Sequence, residues 1–171
     1  GDHRDLHSFP NTTLFRSPFA RYKKVQEIRE KLGPGPYDFA DAASDKVEDD
    51  IRTFTGTNND GIKWMYKGMR MKDPMHAHGI GAKLCEDGDY YEGYWKEGNR
   101  HGYGRFIWAK DNNYCEVDYK DNVRNGEGTE YLASGSKRSG TWKDGKLNGK
   151  AVLTKADGTV IEETWENGTR L

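Results

Sequence analysis

From residue 62 onward the chain alternates between short apolar stretches and two-residue polar or glycine breaks, and these breaks are regularly spaced. They fall at Asp87-Gly88, Glu97-Gly98, Asp111-Asn112, Asp121-Asn122, Ser134-Gly135, Asp144-Gly145, Asp157-Gly158 and Asn167-Gly168. Their second residues lie 10, 14, 10, 13, 10, 13 and 10 apart. Such dipeptides take up positive φ readily and close tight hairpins. An interval of ten holds one strand and a turn, so residues 87–168 are predicted to form seven or eight antiparallel strands in a meander. Upstream the periodicity differs. Phe19, Tyr22, Val25, Ile28 and Leu32 recur at three or four, which predicts an amphipathic helix over 19–32, stopped by Gly33-Pro34-Gly35-Pro36. Phe39, Ala43, Val47, Ile51 and Phe54 predict a second helix, from an Asp38 N-cap to about Phe54.

Two successive break intervals sum to a unit of 23 or 24 residues, and the rest of the unit repeats in register. Trp95, Tyr119, Trp142 and Trp165 share one slot, 24, 23 and 23 apart. Gly79/Gly81, Gly102/Gly104, Gly126/Gly128 and Gly149/Ala151 share another. Within one strand Tyr91, Gly93 and Trp95 point to the same face, and a glycine between two aromatics lets rings lie flat over the backbone. A fixed period of this length marks a repeat array.

The run Tyr91-Glu-Gly93-Tyr-Trp95-Lys-Glu-Gly98-Asn-Arg-His101-Gly102-Tyr-Gly104 resembles the MORN motif almost letter for letter. Later copies depart from it. Cys115, Arg138 and Ile161 replace the opening Tyr, Val117 and Glu163 replace its Gly, and Ala151 replaces a closing Gly. An earlier copy opens at Tyr66-Lys-Gly68 and holds a two-residue insertion before His78-Gly79-Ile-Gly81. Four full repeats and a half therefore span 66–171. The resemblance implies a mainly β fold, a single-layer antiparallel meander, and the helical spacing upstream adds an N-terminal α-helical extension. It also implies a binding or scaffolding role rather than catalysis, with phospholipid surfaces as an alternative ligand class.

Residues 1–17 resemble a translated short-read sequencing adapter, with one inserted base shifting the frame after Pro10. The expected organisation is thus 1–17 adapter-derived, 18–60 a helical docking arm and 61–171 the repeat array. A translated adapter points to a transcript-derived sequence, and so to a subunit met within a natively purified assembly, an organellar membrane complex or an axoneme. Gly33 to Tyr37 also resembles the Pro-Gly-Pro-x-Tyr motif of some ciliary proteins.

Composition agrees with a thin, extended architecture: 33% of residues are hydrophobic, 32% are charged and 21 are Gly. The net charge of -1 argues against a nucleic-acid binder, which would carry a basic excess. No stretch approaches the ~20 apolar residues of a membrane span. Charge is segregated upstream: 21–31 hold five bases and two acids, and 38–60 hold two bases and seven acids. Cys85 and Cys115 lack metal or disulfide spacing and lie three predicted strands apart, which favours free thiols and a reducing compartment, cytoplasmic or cytoskeletal, with an organelle as the alternative.

Candidate chemistry is sparse. His78 and His101 occupy a slot that holds Asn125 and Asn148 in later repeats, which suits a backbone-bridging role and not zinc ligation. Glu92, Glu116 and Glu162 fall opposite the Trp slot and are expected to be solvated ladder charges. No catalytic, cofactor or metal residues are assigned. The expected partner-binding residues are Tyr91, Trp95, Tyr119, Trp142 and Trp165, an aromatic stripe that wants a cover and would take protein subunits of a larger complex. Neither nucleic acid nor a small-molecule substrate is expected. For the alternative, a lipid headgroup surface, the array offers Lys137, Arg138, Lys143 and Lys146.

Overall fold

In the computed structural model, residues 47–71 and 76–171 are described, and they form one eleven-stranded antiparallel sheet. The strands are β1 (Val47–Thr57), β2 (Lys63–Met71), β3 (Ala77–Cys85), β4 (Asp89–Lys96), β5 (Asn99–Trp108), β6 (Asn113–Lys120), β7 (Val123–Tyr131), β8 (Lys137–Lys143), β9 (Lys146–Thr154), β10 (Val160–Glu166) and β11 (Thr169–Arg170). Sheet order follows chain order throughout. The extensive contacts all join consecutive strands.

Each of the eight turn dipeptides sits in the connection where the spacing puts it, and seven strands lie wholly within 87–168. Glu97, Asp121, Asn122, Asp144 and Asn167 have φ between 49° and 72°, and the glycines that follow Glu97, Asp144 and Asn167 lie between 81° and 86°. Paired positive φ is what a two-residue hairpin matched to strand twist requires. The hairpins are also stitched to the preceding unit, because the amides of Gly98, Asn122, Gly145 and Gly168 donate to the carbonyls of Ala77, Arg100, Arg124 and Leu147.

Two upstream expectations fare differently. The helix over 38–54 is overturned where the chain is described: Val47–Thr57 is a strand, paired antiparallel with β2 from Val47↔Met71 to Thr57↔Lys63. Val47, Ile51, Thr53, Thr55 and Thr57 are β-branched, and a partner strand along the segment satisfies the backbone that a lone helix would satisfy internally. No described residue is helical. The helix over 19–32, the adapter-like residues 1–17 and the Gly33–Tyr37 motif lie outside the described residues.

The sheet has two unlike faces. On one, a row of glycines and their replacements crosses the strands: Gly68, Gly81, Gly93, Gly104, Val117, Gly128, Gly140, Ala151 and Glu163 stand opposite one another in register. Tyr66, Tyr91, Trp95, Tyr119 and Trp142 are buried around this row. On the other face Met65, Leu84, Tyr90 and Ile107 form a second buried cluster beside β2–β5, and the C-terminal strands carry mainly polar groups.

Candidate functional site: the aromatic and arginine face

The glycine row lets rings lie on the backbone. A Cβ built on Gly104 would stand 2.3 Å from the Tyr91 hydroxyl oxygen and 2.4 Å from its ring, and one on Gly81 would meet the Tyr66 ring at 2.4 Å. Neither glycine has a positive φ, so the requirement is closeness of approach and not backbone freedom. The two tyrosines are held alike: Tyr66 donates to the Met69 carbonyl at 2.6 Å and Tyr91 to the Tyr94 carbonyl at 2.9 Å. This equivalence makes the β2–β3 hairpin a structural copy of β4–β5.

Rings then interlock across strands. Trp95 stands edge-on between Tyr66 and Tyr91 at 5.3 and 5.1 Å, and Tyr91 meets Tyr119 edge-on at 5.3 Å. The indole of Trp95 donates to the Gly81 carbonyl at 3.0 Å. Trp95, Tyr119, Trp142 and Trp165 thus share a face, and the gap between Trp95 and Tyr119 is filled by Tyr91. Burial pushes the phenols of Tyr66, Tyr91 and Tyr119 up, so they stay protonated donors at any physiological pH.

Of the five expected partner-binding residues, Tyr91, Trp95, Tyr119 and Trp142 are buried by the chain itself, between 2% and 7% exposed. They are the floor. Trp165 is half-buried, and so are Phe106 and Trp108, which pack on the same cluster 4.6 Å from one another. Three guanidinium groups lie on the rings. Arg100 covers Tyr91, Phe106 and Tyr119 at 5.1–5.7 Å, Arg124 covers Trp108 and Trp142 at 5.7–5.9 Å, and Arg138 covers Trp165 at 4.9 Å. The ring-covering places of Arg100 and Arg124 escaped the sequence reading although their spacing held the signal. Arg100, Arg124, Leu147 and Arg170 repeat at 24, 23 and 23, as the aromatic slot does.

Where the repeats degrade, ion pairs replace rings. Arg138 stands in the opening-Tyr slot and Glu163 in the glycine row. The buried Glu163 carboxylate takes the Arg138 Nε at 2.9 Å, the Trp165 indole at 2.9 Å and an Arg170 nitrogen at 3.0 Å. Burial alone would raise its pKa, but the bonds from Trp165 and Arg138 and the charges of Arg138 and Arg170 outweigh it, and the net shift is downward.

The family model of the MORN repeat matches residues 91–112, 118–137 and 139–160. These are the segments whose glycine row, turn pairs and aromatic slots have just been described. The chain carries MORN repeats over these residues. The MORN repeat is a non-enzymatic module generally linked to protein and membrane interaction. The histidine slot of these repeats does bridge backbone. His78 Nδ1 accepts the Glu97 amide at 3.2 Å, and Asn148 accepts the Asn167 amide at 3.1 Å, each reaching 19 residues ahead. His101 instead turns its Nδ1 to Asp121, 3.4 Å away. Cys85 and Cys115 are free thiols, both raised in pKa by burial, Cys85 to about 11.

One expectation about the MORN sheet's other face needs correction. Glu162 is exposed there, but Glu92 is buried and not solvated. Arg105, equally buried, reaches Glu92 at 3.0 Å and Glu116 at 2.6 Å, and Tyr90 donates to Glu92 at 2.8 Å. A buried carboxylate persists only when so paired. Beside this chain lies an open groove of about 610 Å³ bordered by Tyr103, Asp118, Glu127, Thr129, Ser139 and Lys150. Burial first, and then the charge of Glu127, push the Asp118 carboxyl up.

Proposed function

We propose that this MORN array is a non-catalytic protein-interaction scaffold, an accessory structural subunit of a large native assembly such as an organellar membrane complex or an axoneme. Its partners are other protein subunits, met along the aromatic and arginine face. The observation that supports this most is the set of guanidinium groups laid over half-buried rings. Arginine and tryptophan dominate the energetics of protein interfaces, and a floor already packed and dry needs no reorganisation to receive a partner. Contact then falls to Phe106, Trp108, Trp165, Arg100 and Arg124, above the floor of Tyr91, Trp95, Tyr119 and Trp142.

A lipid surface is the second reading, and the placement of basic residues weighs against it. Arg138 is engaged with Glu130 and Glu163. Lys143 pairs across the hairpin with Lys146, whereas Lys137 is at the opposite end of β8, roughly 20 Å away at ~3.3 Å per residue. Headgroup recognition wants four to eight bases together. Flotation with phosphatidylserine vesicles, run beside native-gel assembly with the other subunits, separates the two. Trp108→Ala with Trp165→Ala should abolish assembly, and Lys137→Glu with Lys143→Glu and Lys146→Glu should leave it intact. The reverse pattern, with flotation lost only in the lysine variant, would sink the scaffold reading.

A further inference from the structure

Counter-charges are unevenly shared on the aromatic and arginine face. From β2 to β11 the register places six bases there, Arg70, Lys83, Arg100, Arg124, Arg138 and Arg170, against three acids, Asp89, Glu130 and Glu163. Arg138 is held by Glu130 and Glu163, and Arg170 by Glu163. Arg70 and Asp89 hold interactions of their own. Two guanidinium groups are left short. Arg100 spends its Nε and Nη2 on the side chain and carbonyl of Asn122, at 3.4 and 3.0 Å, and has no carboxylate partner among the described residues. Arg124 gives Nη2 to the Gly145 carbonyl at 3.2 Å. Its Nη1 lies 3.6 Å from Glu130, which Arg138 also uses, and makes no hydrogen bond. The hairpin tips beside them do not make up the deficit, because Lys96-Glu97, Lys120-Asp121 and Lys143-Asp144 cancel.

The two short groups are regularly placed. Arg100 and Arg124 fill the same slot in successive units, opposite Trp95 and Tyr119 and two strands apart, which is roughly 10 Å at ~4.8 Å per strand. Beneath them are the half-buried rings of Phe106 and Trp108. A partner closing over this surface takes water from both cations, which is costly unless it brings carboxylates to them. Positions seven apart in a helix lie on one side and ~10.5 Å apart, with the third and fourth positions between them on that same side.

We propose, resting on the scaffold reading, that the subunit received here presents an acidic helix laid across the strands. Two carboxylates seven residues apart seat on Arg100 and Arg124, and the apolar side chains between them meet Phe106 and Trp108. A guanidinium fork takes a carboxylate through two parallel bonds, so the pair fixes register as well as charge. Phosphate would suit the same forks, but a membrane surface recognised by charge needs four to eight bases together, and only two guanidinium groups are unmatched.

Fluorescence anisotropy with the full-length chain and synthetic alanine-based helices tests this. One peptide carries Glu at positions seven apart with Leu at the third and fourth between them. A second has the two Glu five apart, on different sides of the helix, and a third has Lys for both Glu. The first should bind at least ~10-fold tighter than either other, the worth of one well-made ion pair. Arg100→Glu with Arg124→Glu should reverse the preference toward the Lys peptide, an outcome that misfolding cannot produce. The milder Arg100→Gln with Arg124→Gln should bind all three alike, with strand circular dichroism kept. Equal binding of the Glu and Lys peptides by the parent, indifference to spacing, or a preference that survives the Gln changes would overturn the proposal. So would phosphatidylserine vesicles that float with the parent and not with the Gln variant, since the forks would then serve lipid. If the peptides fail while Trp108→Ala with Trp165→Ala still abolishes native assembly, the acidic helix falls and the scaffold reading stands. Assembly indifferent to the Trp changes would instead remove the scaffold reading itself.

Discussion

Replacing Trp95 by Ala should be the most damaging single change on the aromatic face. The side chain is 7% exposed, wedged edge-on between Tyr66 and Tyr91, and its indole satisfies the Gly81 carbonyl. Deleting a buried Trp costs ~3–5 kcal/mol in transfer and cavity terms. The orphaned carbonyl adds about 1 kcal/mol more, since a buried acceptor left unpaired is penalised. These are not additive, because the cavity admits water to that same carbonyl, and ~4 kcal/mol is the working figure. Trp95→Phe keeps a ring between the two tyrosines and loses only bulk and the N–H, so ~1–2 kcal/mol is expected. Val160→Ala, at a side chain 62% exposed on β10, serves as the neutral control. Urea melts followed by far-ultraviolet circular dichroism should order the three as Ala, then Phe, then control. The midpoint and slope must be read together, since repeat arrays can unfold in parts. A Trp95→Ala cost that matches the control would refute the idea that the rings carry the stability of this face.

Other changes separate mechanisms. Gly104→Ala should cost ~1–3 kcal/mol by overpacking against Tyr91, whereas Gly149→Ala, at φ 91° with open space around it, should cost about 1 kcal/mol from the backbone alone; thermal melts distinguish them if Tyr91→Phe/Gly104→Ala recovers part of the first loss. Arg105→Met should lose ~3–5 kcal/mol by stranding the buried Glu92, and Glu92→Met with Arg105→Met should regain most of it in the same assay; no regain would mean that packing, and not the stranded charge, sets the loss. Glu163 has a depressed pKa when folded, so its contribution is present above the ordinary carboxylate range and is lost as pH falls through the lower folded value. Stability measured from pH 6 down to 3 should therefore drop less steeply in Glu163→Gln than in the parent. Asp118 is shifted the other way, and Asp118→Asn should stabilise the chain at neutral pH, with the gain fading on acidification.

The meander was readable because its turns are chemically explicit. Asp-Asn, Asp-Gly and Asn-Gly tolerate positive φ, and once the turns are fixed the period of two assigns every aromatic to a face. Strand β1 was not readable. Val47, Ile51 and Phe54 satisfy a helical spacing, while Thr53, Thr55 and Thr57 satisfy a strand, and only the neighbouring β2 decides between them. The depth of the site was equally hidden. Alternation puts Trp95 and Tyr119 together, but that they are floor and Phe106 and Trp108 are rim follows from Tyr91 filling the space between strands. Glu92 looked solvated because its partner Arg105 is thirteen residues ahead, opposite it only after the β4–β5 register is set.

Strict chain-order pairing has a mechanical consequence. Tension applied between the ends of such a sheet does not load all its hydrogen bonds at once in shear. It peels one terminal strand from its single neighbour, then the next, so the array would lengthen in small steps at modest force. The stitches from Gly98, Asn122, Gly145 and Gly168 to the unit before each raise the force for entering a new hairpin, and Glu163 with its two arginines does so at the last one. A sheet built this way can yield by hairpins while its remaining repeats stay folded.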